Sequence, residues 1–187
     1  MTGGEAEGAE PGEARKSVRR VVMWEPWNAP GTELVTLTIG EEGSLAEGTM
    51  IRLINGEPER ADYTVRCDAG WRTREVSVRA RGRTLTLDSR QLGDEGDVDI
   101  YACAFTNTLP IRRTHFADDF TINAIFITLP DLSVERALQR YTRIGPAAYR
   151  YTGLDSGFTG EITIDEDGVV IDYTSVVRRV WPRPTQF

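Results

Sequence analysis

The chain has one histidine (His115), one lysine (Lys16) and two cysteines (Cys67 and Cys103) among 187 residues. Each scarcity closes off a chemistry. One imidazole and two distant thiols, with no Cys-x-x-Cys spacing, cannot furnish a zinc or iron site. The acids Asp94, Glu95, Asp97 and Asp99 lie close in sequence. Strand alternation, however, would send Asp97 and Asp99 to one face, and the loop chemistry of a calcium site is missing. No metal and no cofactor is expected. A nucleophile elbow of the Gly-x-Ser-x-Gly kind is also absent, and the histidine sits in "RRTHFADD" with no serine or cysteine beside it. Without a second cysteine nearby, two buried free thiols are the commoner arrangement in a reducing compartment, although one bridge is geometrically conceivable.

Long apolar runs are missing too. No segment reaches the length of a membrane span. The opening "MTGGEAEGAEPGEARKSVRRVVMW" is acidic, then basic, and offers only three apolar residues just before Trp24, so it does not read as a secretory signal. A cytoplasmic protein without integral membrane association is expected. The net charge of −7 leaves no basic field for nucleic acid and no polybasic surface for an anionic membrane.

What remains is a chain dominated by a period of two. "ADYTVRCD" sets Tyr63, Val65 and Cys67 against Thr64, Arg66 and Asp68. "REVSVRARG" sets Val76, Val78 and Ala80 against Glu75, Ser77, Arg79 and Arg81. "TLTLDS", "DVDIYACAF", "TINAIFITL", "FTGEITID" and "GVVIDYTSVV" behave alike, which predicts strands with unlike faces. "NGEPER", "ARGRT" and "DEDG" carry the turn chemistry between them. The segment "LSVERALQRYTRI", within 132–144, suits a helix capped by Ser133 but also alternates, and the strand reading is preferred for its neighbourhood.

The expected fold is mainly β: a single domain whose strongly curved antiparallel sheet closes into a barrel or half-barrel, with at most one or two short helices. About ten strands must curl to hide their edges. Residues 1–17 read as a disordered acidic tail, 18–180 as the folded domain and 181–187 as a C-terminal tail.

The residues that carry chemistry are carboxylates, arginines and aromatics. Asp97 and Asp99, two apart on a strand, could act as the acid and base of a glycosidase. The favoured reading is structural ion pairing, with Arg72 and Arg74 in "CDAGWRTR" as partners. Trp24, Trp27, Trp71, Tyr101, Tyr141, Tyr149 and Tyr151 sit beside polar groups, which suits a sugar ring, an amphiphile head or a hydrogen-bonded core. In "DVDIYACAFTNTLPIRR" the strand is expected to run from Asp97 to Phe105 and to close in a turn at Thr106–Thr108. Leu109 would then be extended before Pro110. At most one of Arg112 and Arg113 would point inward to Asp97 or Asp99, and Asn107 would stand beside them.

The order "YTVRCDAGWRTREVSV", "DVDI…FTNTLPIRR", "QRYTRI…YRYTG…F" and "DEDGVVIDY…RR" resembles the bacterial family known for putative glycolipid binding, formerly a domain of unknown function. The resemblance runs from about Val21 to Arg179. It implies a strongly curved, mostly antiparallel β structure, remotely similar to bacterial lipoprotein carriers whose half-barrels hold acyl chains. One departure is "SRQLGDEG", shorter than the glycine/tryptophan loop expected there, which would widen a cavity mouth or change the ligand. The expected function is non-enzymatic binding of an amphiphile, a glycolipid or other lipid, in a β-barrel cavity. Its ligand-binding residues would be Trp24, Trp71, Arg72, Arg74, Asp97, Asp99, Asn107, Arg112, Tyr141 and Tyr151. The alternatives are a hydrolase of sugar or lipid using Asp97 and Asp99, and a protein-interaction module.

Overall fold

The computed structural model describes residues 17–94 and 96–183. The acidic tail lies outside the described residues except for Ser17, and of the C-terminal tail only 181–183 are described.

Among the described residues the chain runs β1 (Val18–Pro26), β2 (Gly31–Gly40), β3 (Gly43–Ile54), β4 (Glu57–Asp68), β5 (Thr73–Ala80) and β6 (Arg83–Asp88). Helix α1 (Ser89–Leu92) and β7 (Val98–Ile100) follow, and then a 3-10 turn (Phe105–Asn107) leading into α2 (Thr108–Arg113). The remainder is β8 (Asp119–Ile127), β9 (Val134–Gly145), β10 (Ala148–Gly153), β11 (Thr159–Ile164), β12 (Val170–Tyr173) and β13 (Val177–Trp181). The strands form one 13-stranded sheet in the order β6-β5-β4-β3-β2-β1-β13-β12-β11-β10-β9-β8-β7. Every pair is antiparallel except β7 with β8.

Alternation builds this sheet as the sequence predicts. Tyr63, Val65 and Cys67, like Val76, Val78 and Ala80, are buried, while Arg66, Glu75 and Arg79 are exposed. The tight turns fall where their residues allow. Asn55-Gly56 and Arg81-Gly82 both take positive φ at two successive positions, the geometry of two-residue hairpins. Residues Val134–Gly145 form a strand, paired with β8 on one side and β10 on the other.

Three expectations are corrected. The sheet does not close: β6 and β7 are its two edges and are not paired with each other. Its curvature is nonetheless strong. Glu33 on β2 and Tyr141 on β9 stand six strands apart in the sheet, yet both reach the segment 103–107. A flat sheet would hold them roughly 29 Å apart. Second, the run "GVVIDYTSVV" breaks in two, because Ser175 takes φ 65° and turns the chain between β12 and β13.

Third, the strand starting at Asp97 stops at Ile100 instead of reaching Phe105. A turn at Tyr101-Ala102, with Ala102 at φ 60° and the Cys103 N–H bonded to the Ile100 carbonyl, redirects it into a helical segment. Leu109 is therefore helical, not extended. Pro110 falls in the first turn of α2, where a missing N–H costs little. The turn expected at Thr106–Thr108 is instead the 3-10 entry of this helix, and Phe105 through Ile111 are all buried. The segment thus fills the concave side of the sheet. "SRQLGDEG" likewise begins as helix α1, held by a capping box in which Asp88 and Gln91 satisfy each other's backbone N–H groups.

Candidate functional site

The helical segment is anchored at its entry by a carboxylate from far away in the chain. Glu33 on β2 is fully buried and shares a face with Val35 and Leu37. It accepts hydrogen bonds from the Ala104 N–H at 2.7 Å, the Phe105 N–H at 3.4 Å, the Cys103 Sγ at 3.1 Å and the Tyr63 hydroxyl at 2.7 Å. Arg52 stands 3.5 Å away. Burial, followed by the nearby Glu33 charge, pushes the Cys103 thiol well above its ordinary pKa. Both cysteines are free and buried.

At the other end of the segment Asp97 receives a two-pronged pair from Arg113, at 2.9 and 2.6 Å, and is 4% exposed. Arg112 emerges on a different side, its guanidinium 4.6 Å from the centre of the Trp71 ring and 5.7 Å from that of Phe116. The expectation that one of the two arginines turns to Asp97 is met by Arg113. The expectation that Arg72 or Arg74 does so is not. Arg74 is exposed and pairs with Asp68, and Arg72 is exposed in the β4–β5 corner, its N–H bonded to the same Asp68. The corner needs Asp68 to close, and Arg74, six residues on, is the nearer partner.

Asp99 is placed differently. It lies on β7 facing a cavity of about 380 Å³ whose walls include Tyr101, Asn107, Phe126, Tyr151, Phe158 and Tyr173. A second cavity of about 270 Å³ adjoins it, sharing Asp99, Phe126, Tyr151 and Ser156 and adding Glu135, Leu138, Gln139 and Asp155. The Asp99 carboxylate accepts from the Thr106 hydroxyl at 3.0 Å and the Gln139 side-chain amide at 2.7 Å. Burial pushes its pKa up to about 6, against the lowering effect of those two bonds. The reason is the cost of a buried charge that, among the described residues, no cation compensates.

Behind the wall, polar groups are joined in series. The Tyr141 hydroxyl donates to Asn107 Oδ1 at 3.1 Å, and the Asn107 amide donates to the Cys103 carbonyl at 3.5 Å. The rings stack in turn: Phe120 lies parallel to Tyr141 at 5.0 Å, Tyr151 meets Tyr141 edge-on at 5.4 Å, and Tyr173 meets Tyr151 edge-on at 5.8 Å. Burial first, and then the Asp99 charge, raises the Tyr151 hydroxyl above its ordinary pKa. At the rim Tyr101 and Phe158 expose apolar surface, as does Leu138 in the adjoining cavity.

Of the residues singled out in the sequence, the structure gathers Asp99, Asn107 and Tyr151 on the cavity wall and Tyr141 directly behind them. It does not bring Trp24, Trp71, Arg72, Arg74, Asp97 or Arg112 into either cavity. Trp24 is fully buried and donates its indole N–H to the Val170 carbonyl at 2.9 Å. Trp71 is buried beneath Arg112 in the β4–β5 corner. Glu33, Gln139 and Phe126 were not singled out. Glu33 had a signal, since alternation in "GTELVTLT" puts it on the face of Val35 and Leu37.

Fold and site together define a mainly β protein whose curved sheet wraps a short helix and leaves a ring-walled cavity with one carboxylate at its floor. The chain belongs to the family described as "Putative glycolipid-binding", whose model matches residues 21–179. It is similar to the crystal structure of a DUF1089 family protein from Pseudomonas aeruginosa, with 28% identity and a TM-score of 0.65 over 94% of this chain and 100% of that one. No curated protein matches the chain. Among the described residues no helix is long and apolar enough to cross a membrane.

Proposed function

We propose that the protein binds an amphiphile without transforming it, with the head of a glycolipid or related lipid in the Asp99 cavity and the first part of its chain along the rim. The observation that carries this reading is a ring-walled cavity of about 380 Å³ with exposed Tyr101 and Phe158 in its own lining and exposed Leu138 in that of the cavity adjoining it. Rings and a few placed polar groups are what a small-molecule site consists of. Each methylene removed from water at the rim contributes about 0.8 kcal/mol. The family's description supports the same ligand class.

The helical segment fills space that an empty barrel would leave for acyl chains, so the ligand lies at the β7–β12 side of the molecule and not along a central axis. The hydrolase alternative required Asp97 and Asp99 to flank one bond. Asp97 is instead engaged by Arg113 and lies outside the cavity wall.

The test is native mass spectrometry of protein purified from a bacterial host without detergent, followed by solvent extraction. The expected result is a discrete lipid or glycolipid adduct that is lost in a Val176→Trp variant, in which the larger side chain occupies the cavity. An adduct that survives this variant, or no adduct even after addition of alkyl glycosides, would contradict the reading.

A further inference from the structure

Three deeply placed carboxylates of this protein each meet an arginine: Glu33 meets Arg52, Asp97 meets Arg113, and Asp165 meets both Arg20 and Arg179. Asp99 does not. Among the described residues its bonds come from two neutral donors, Thr106 and Gln139, and no ion pair reaches it. Arginine is abundant in this chain, so a carboxylate left without one, at the floor of a cavity, is a site waiting for a cation from outside.

The rest of the cavity agrees. Asp99 is the sole acidic or basic side chain in its lining apart from weakly acidic tyrosines and one thiol, and five of its residues (Tyr101, Phe126, Tyr151, Phe158 and Tyr173) are aromatic. The faces of such rings attract cations and give nothing to anions. The adjoining cavity adds the carboxylates of Glu135 and Asp155 against one guanidinium, that of Arg136, which donates to the Asn123 carbonyl at 3.2 Å. In the ring-walled cavity itself a phosphate or sulfate head would meet no arginine, lysine or histidine among the described residues.

We propose that the Asp99 cavity selects a ligand whose head carries an ammonium group, the ammonium pairing with the Asp99 carboxylate inside the ring wall. The inference rests on the amphiphile-binding reading and narrows its ligand class. An amino sugar or a quaternary ammonium head would each supply the required chemistry. The pKa of about 6 at Asp99 has a consequence here. The ligand-free carboxyl is ionised at neutral pH but protonates just below it, and an ammonium partner pulls its pKa down again. Affinity for an ammonium ligand is therefore full above about pH 6 and falls, by up to tenfold per unit, as the pH drops below it.

The experiment compares four water-soluble hexyl ligands by isothermal titration calorimetry at pH 7.5: hexylammonium, hexyltrimethylammonium, hexyl β-glucoside and hexyl sulfate. The expected result is at least tenfold tighter binding of one or both ammonium ligands than of the glucoside, with the sulfate weakest. Preference for the primary amine would indicate an amino-sugar head, and preference for the trimethyl form a quaternary one. Asp99→Asn should abolish the gap by weakening the ammonium ligands at least tenfold. Should that variant fail to fold, the wild-type pH profile decides, since ammonium affinity must fall below pH 6 and glucoside affinity must not. Equal or tighter glucoside binding with no effect of Asp99→Asn overturns the ammonium preference alone and leaves amphiphile binding standing. Silence from all four ligands counts against both.

Discussion

Asp99 and Glu33 are both acids on inward strand faces, and their surroundings make them opposites. Glu33 is spent on structure: four donors and Arg52 converge on it, and it holds the entry of the helical segment. Replacing it by glutamine puts an amide N–H among those donors and leaves Arg52 without its charge. Glu33→Gln is expected to cost about 3 kcal/mol, measurable as a lowered urea midpoint. Asp99, by contrast, is carried at a cost. Its folded-state pKa of about 6 lies above the ordinary 3.8, so the folded state holds the proton more tightly than the unfolded chain does. That contribution is full below about pH 4 and is lost as the pH rises through about 6. Asparagine does not titrate. Asp99→Asn should therefore melt close to wild type at pH 4 and higher at pH 7.5, by up to about 3 kcal/mol. A gain independent of pH would show that the carboxylate is not the source of the cost. Both acids stood in plain alternation in the sequence, so their inward placement was legible. Their partners were not, because Gln139 is forty residues from Asp99 and Ala104 is seventy-one from Glu33.

The strands were legible as elements, because period-two alternation survives wherever one face of a sheet is buried. The helical segment was not. "DVDIYACAF" alternates through Ile100 and beyond, and nothing local announces that Glu33 will satisfy the N–H groups of Ala104 and Phe105. A tertiary contact overrides a local pattern there, and the expected extended Leu109 went with it; of the partners expected for Asp97, Arg113 is present and Arg72 and Arg74 are not. The segment also carries a flaw that can be tested. The Thr108 hydroxyl is buried without a hydrogen-bond partner among the described residues. Thr108→Val keeps the shape and removes the unmet hydroxyl, so it should be neutral or stabilising by about 1 kcal/mol in chemical denaturation. A loss of stability would mean that the hydroxyl has a partner. On the sheet, Gly160 leaves room for a cavity wall, since a Cβ there would lie 2.6 Å from the Tyr173 ring. Gly160→Ala must shift that ring, at a cost of about 1–3 kcal/mol, and should weaken ligand binding along with thermal stability.

On the scale of the whole molecule, the expectation of a barrel erred at closure alone. Enough strands are present to curl, and the curl brings β2 and β9 to the same short segment, residues 103–107. The sheet nevertheless keeps two unpaired edges, β6 and β7. The cavity opens beside β7, the edge strand that carries Asp99. Alternation reports which face of a strand is buried but not whether the first and last strands meet, so closure could not be read from the pattern. Nor could the split of the interior into a filled part and an open part, which depends on the helix.

The central claim is that this open part receives the head of an amphiphile, and amide chemical shifts of the labelled protein during titration with hexyl β-glucoside and hexyltrimethylammonium test it most directly. The account predicts that shifts concentrate in residues 99–107, 151–158 and 173–176, with Asp99 and Tyr151 among the largest. Shifts centred instead on the depression at the far end of the sheet, around Gly40–Leu45 and Cys67, or no saturable shifts at all, would contradict it.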